Sequence, residues 1–166
     1  ATVARTRASL RIFGDDLVPE EITDLLGHAP TKSQRKGEEV PLPKAGKFRT
    51  ATTGGWWLHS NEVEPGDLDS QIDDILSKLT NDVSTWDNIS SKHDIDLFCG
   101  LFMNESMEGI DISPKNLLAL GSRHILLGLD IYAPDEDEMH NKTVNGACGW
   151  TAKSAASQQR GPLPWR

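Results

Sequence analysis

The chain has 166 residues, 37% hydrophobic and 25% charged, which is enough for one buried core with some tail. No apolar run approaches the roughly 18 residues of a membrane span. The formal net charge of −8 repels phosphate backbones and steers cationic partners inward, so neither membrane nor nucleic acid is the expected partner. The charge is uneven: after Met139 there is no acid, so the first 138 residues hold all 25 acids against 13 Lys and Arg. The N-terminus carries no apolar signal segment and Ala1 fits removal of an initiator Met, so a cytoplasmic protein is expected. Cys99 and Cys148 are read as reduced thiols rather than a disulfide.

In chain order, Ala8 to Phe13 alternates, with Ala8, Leu10 and Ile12 on one face and Ser9, Arg11 and Phe13 on the other. Gly14-Asp15-Asp16 is read as the turn that ends this strand, since adjacent aspartates favour turns and the positive end of a following helix. Pro19, Glu20 and Glu21 then open a helix with the stripe Ile22, Leu25, Leu26 and a C-cap at Gly27. Val18 is a poor N-cap.

His28 to Gly46 has no period and reads as a long mobile loop, inside a basic stretch from Lys32 to Arg49 with six bases and two acids. Lys47 to Ser60 is β-rich, with a bulge or bend at Gly54-Gly55, and Trp57 and His59 facing away from Trp56 and Leu58. Asp67 caps the clearest helix, where Leu68, Ile72, Ile75, Leu76 and Leu79 recur at helical spacing. Val83, Trp86 and Ile89 mark a shorter helical piece.

Asp94 to Met103 is a second strand, with Ile95, Leu97, Cys99 and Leu101 opposite Asp96, Phe98 and Phe102. Ser113-Pro114 opens a last helix with Leu117, Leu118 and Leu120 as its stripe, and Ile125 to Tyr132 is the last strand. Residues 1–134 are thus expected to form one domain and residues 135–166 a C-terminal tail, flexible or docked through Trp150 or Trp165.

The order β-α-β-α-β-α-β suggests an α+β fold. The expected form is a ferredoxin-like four-stranded sheet of two split β-α-β units with an extra central helix and the helices mainly on one face. The segments "SLRIFGDDLVPEEITDLLGHAPT", "GGWWLHS", "LDSQIDDILSKL" and "LLALGSRHILLGLDIY", in that order and spacing, resemble the bacterial family called domain of unknown function 4279. The resemblance spans about Ser9 to Tyr132 and implies a small α+β domain. It implies no reaction, cofactor or catalytic residue.

Residues out of phase with the apolar strand positions would share the uncovered sheet face: Arg11, Phe13, Trp57, His59, Asp96, Phe98, Phe102, Asp130 and Tyr132. That many rings have the make-up of an interface core, so this face is the expected binding site for a protein partner or a second copy. An imidazole near carboxylates could move protons, which gives a rival reading of a small enzyme using His59 with Asp96 or Asp130. No nucleophile or phosphate-binding motif is present, and the histidines and cysteines do not fall at metal-ligand spacing, so no catalytic residue, metal or cofactor is expected. Asp135 to Glu138 reads as a solvated acidic run. The expected function is that of a non-enzymatic acidic binding module, such as an immunity-type protein sequestering a basic protein. A homodimeric structural module is a third class.

Overall fold

A computed structural model describes residues 2–44 and 46–134. The expectations for Cys148, Trp150, Trp165, Asp135 to Glu138 and the rest of the tail lie outside these residues. The first strand, β1 (Arg5–Gly14), ends in a turn closed by the Leu17 amide donating to the Gly14 carbonyl at 3.2 Å. The aspartate pair is therefore a turn, and Asp15 is ion-paired with Lys36.

The first helix, α1 (Pro19–Leu26), has Val18 at its N-cap with no side-chain cap bond. Gly27 ends it in the left-handed region, φ 78°, with its N–H bonded to Thr23 O, the geometry that favours glycine.

Helix α2 (Leu68–Ser77) is capped by Asp67, which accepts from the Ser70 amide, and buries Leu68, Ile72, Ile75 and Leu76. Helix α3 (Val83–Ser90) buries Trp86 and Ile89 but leaves Val83 44% exposed. Helix α4 (Pro114–Ser122) opens with Ser113 capping the Asn116 amide.

The expected leucine stripe of α4 holds only at Leu120, because Leu117 and Leu118 are 51% and 72% exposed. The helix is anchored by polar contacts instead. Asn116, 1% exposed, donates to Asp69 O, and Asp69 Oδ1 accepts from the Ser113 amide at 2.9 Å.

The segment His28 to Gly46 is not the expected mobile loop. It contains β2 (Lys32–Gln34) and β3 (Glu39–Pro41), and β3 pairs with β4 (Phe48–Thr50) as a separate two-stranded sheet. Most side chains here are exposed, so no hydrophobic alternation betrays the strands. Buried Gln34 holds the segment down, donating to Thr53 O and accepting from Arg49.

Strands β5 (Gly54–His59), β6 (Asp94–Phe102) and β7 (Leu126–Tyr132) complete a five-stranded sheet of order β2-β5-β1-β6-β7. Its strands pair antiparallel except β6 with β7.

The fold is mixed α+β, but the sheet differs from the expected ferredoxin-like arrangement. Split units interleave their strands, whereas here β1 lies directly beside β5 and β6 directly beside β7. Register between β1 and β5 runs unbroken from Ser9 opposite His59 to Gly14 opposite Gly54, so Gly54-Gly55 forms no bulge. Gly55 serves close approach instead: the Trp57 indole lies over it where a Cβ would stand.

One sheet face carries the core. Leu10, Ile12, Trp56, Leu58, Ile95, Leu97 and Cys99 pack there against Ile22, Leu26, Ile72, Ile75, Trp86 and Leu120 of the helices. Trp56 Nε1 donates to Thr23 Oγ1 at 3.1 Å, tying the sheet to α1.

Candidate functional site

The helices among the described residues pack on the core face, and the pairing register places the nine expected residues on the opposite one. Arg11 lies opposite Trp57 and Asp96, Ser9 opposite His59 and Phe98, and Phe102 opposite Tyr132. The rings and cations interleave. Phe102 and Tyr132 stack with centroids 4.7 Å apart, and the Arg5 guanidinium lies 4.4 Å over Phe102. Arg11 lies 4.4 Å over Phe98 and 5.3 Å over Phe13; Phe13 meets Trp57 edge-on; Lys32 lies 4.9 Å over Trp57. Each such cation–ring contact is worth about 0.5–1 kcal/mol at an exposed site and more when desolvated.

The charges on this face are largely paired within it. Arg11 grips Asp96 through two hydrogen bonds of 2.7 and 2.6 Å, with both side chains only 16% and 24% exposed. Arg5 and Arg7 both reach Glu62. Two anchors differ from the rest: Trp57 is 6% exposed and belongs to the packing of the face, while Tyr132 is 39% exposed.

His59 does not meet either carboxylate considered for proton transfer. Its Nδ1 shares a 2.7 Å hydrogen bond with Ser9 Oγ, and Ser9 is 4% exposed. Asp96 is two strands away and committed to Arg11, and Asp130 stands on β7, three strands or about 14 Å across the sheet. Burial, then the charge of Lys32, pushes the His59 pKa down, so the neutral imidazole is favoured.

Below Phe13 the face runs into a cleft of about 440 Å³ lined by Phe13, Ser90, His93, Asp94, Ile95, Asp96, His124 and Leu126. His124 Nε2 is 2.8 Å from Asp87 Oδ1. His93 Nδ1 is buried against Gly14 with no hydrogen-bond partner among the described residues. Desolvation, followed by Lys92, lowers the His93 pKa against the pull of Asp16, Glu21 and Asp94. No group of histidines, cysteines and carboxylates among the described residues is arranged to hold a metal ion. No helix among them is long and apolar enough to cross a membrane.

Sequence reasoning put Ser9 on this face without a role in the site, and missed Arg5, Arg7 and Lys32. Arg5 and Arg7 share the parity of Arg11 and would follow from extending the alternation back to Arg5. Lys32 arrives on β2, a strand with no apolar pattern to announce it.

A family model described as a domain of unknown function (DUF4279) matches residues 4–134. Neither a curated protein nor a solved structure matches the chain.

Proposed function

The chain belongs to the family described as domain of unknown function 4279, and from its sheet geometry we propose that it works by binding a basic protein partner, in the manner of an immunity-type protein. The observation that carries this reading is the interleaved stack of aromatic rings and arginines on the helix-free face. Aromatic and Arg side chains are the ones that dominate interface energetics, and their charges are already paired, so covering them strands no lone ion. The acidic surplus lies on the other side of the sheet. The four helices and their caps hold nine acids against Lys78, Lys115 and Arg123. The net negative charge speeds encounter with a basic partner, and the rings, beside arginines neutralised by Asp96 and Glu62, make the contact. His59, bonded to a buried serine and remote from both carboxylates, supports binding over proton transfer.

The test is capture by the immobilised full chain from a lysate of its own source cells, eluted with rising salt. Basic polypeptides should be retained by the wild type and lost from a Phe13→Ala/Phe98→Ala variant whose circular dichroism is unchanged. Equal retention by that variant, or retention of acidic proteins alone, would sink the reading.

A further inference from the structure

Strand β7 is an edge that nothing in its own sequence protects. Among the described residues it pairs with β6 only. It contains no Lys, Arg or Pro, the residues that usually blunt an edge, and its one charge is Asp130. It is also apolar on both faces and poorly covered: Leu126 and Ile131 are each 64% exposed, Leu129 42% and Tyr132 39%. Helix α4, packed against this strand, adds exposed Leu117 and Leu118.

The backbone states which groups are available. The Tyr132 carbonyl accepts from the Met103 amide, so Tyr132 directs its backbone groups at β6. Alternation then sends those of Leu126, Gly128 and Asp130 the same way, and turns the N–H and C=O of Leu127, Leu129 and Ile131 to the open edge.

We infer that β7 is the interface of a homodimer, pairing antiparallel with β7 of a second copy about a two-fold axis at Leu129. Leu129 is the midpoint of the seven-residue strand, so this register overlaps it completely. Leu129 faces Leu129 of the second copy, and Leu127 faces Ile131 twice. All six outward backbone groups are then bonded across the seam. On the helix-free face Asp130 falls opposite Gly128 and Leu126 opposite Tyr132, so no like charges meet. Moving the axis to Asp130, a register slip of two residues, would set the two carboxylates against each other and leave overhanging edge unpaired. Two five-stranded sheets thereby join into one of ten.

A second copy fits this edge better than the chain's own continuation. Asp135 to Glu138 follow directly, and a return beside β7 would bring four consecutive acids toward Asp130. The inference does not rest on the partner-binding reading: that reading uses side chains of the helix-free face, where Phe98 neighbours Gly128 of β7, whereas the seam is the outer backbone edge of β7.

The test is the mass of the full chain by multi-angle light scattering across a concentration series. Wild type should reach twice 18.3 kDa, and Leu129→Lys should halve that mass with its circular dichroism unchanged. In a Cys148→Ser background, Leu129→Cys should form an intermolecular disulfide under mild oxidation and Asp130→Cys should not. Direct opposition sets Cα atoms about 5.5 Å apart, within disulfide reach, while Asp130 is displaced from its own copy. Cys99 does not compete, since it is buried and its thiol is pushed up to about 12. A monomer at every concentration overturns the inference. So does a dimer that survives Leu129→Lys, or equal cross-linking at both positions.

Discussion

Gly55 shows how one missing atom shapes the sheet's helix-free face. The Trp57 indole lies across it, and a Cβ there would fall well inside van der Waals contact with the ring. Ring and neighbouring strand are both packed, so neither yields freely. Gly55→Ala is therefore expected to cost about 1–3 kcal/mol, the range for overpacking a filled site, and chemical denaturation measures it. Trp57→Ala should cost about 3–5 kcal/mol, because the ring is nearly buried and leaves a cavity. An unchanged denaturation midpoint for Trp57→Ala would return this residue to the contact surface.

The helices divide by how they are held. Helix α2 is held by an apolar stripe, so Leu76→Ala should cost about 2–5 kcal/mol. Helix α4 is held by Leu120 together with the Asn116 and Ser113 bonds to Asp69. Leu118→Ser should accordingly move the melting temperature little, whereas Leu120→Ala should lower it clearly. The Asp69 carboxylate has its pKa lowered first by the Ser113 amide and then by Asn116 and Lys115. A depressed carboxyl stabilises above its ordinary range near 4, and that contribution is lost as pH falls through the lower folded value. Asp69→Asn should remove this acid-side dependence, read as a flatter melting temperature below about pH 4.

At the scale of the molecule, His59 and His93 both have lowered pKa values, chiefly from burial. The unfolded chain then takes up protons at a higher pH than the folded one, near 6.5. Stability is full above that value and declines as pH falls below it. The melting temperature should drop as pH falls below about 6.5, and His59→Gln should recover part of the loss. A profile flat across that window would show that neither ring is held neutral.

Local order made much of this protein readable before any fold. Alternation separated Leu10 and Leu97 from Arg11 and Asp96, helical spacing marked Ile72 and Leu76, and Asp67, Ser113 and Gly27 announced their helix ends. Each signal is a neighbour effect within a few residues. Strands β2 and β3 were invisible because most of their side chains are exposed and no apolar alternation marks them, and β4 was read only as part of one β-rich stretch from Lys47 to Ser60. The leucines of α4 misled because helical spacing gives a face but not what covers it. Strand order, the bond between Ser9 and His59, and the open edge at β7 depend on which segments meet across 20 to nearly 100 residues. That choice belongs to the packing of the whole core, which no local periodicity encodes.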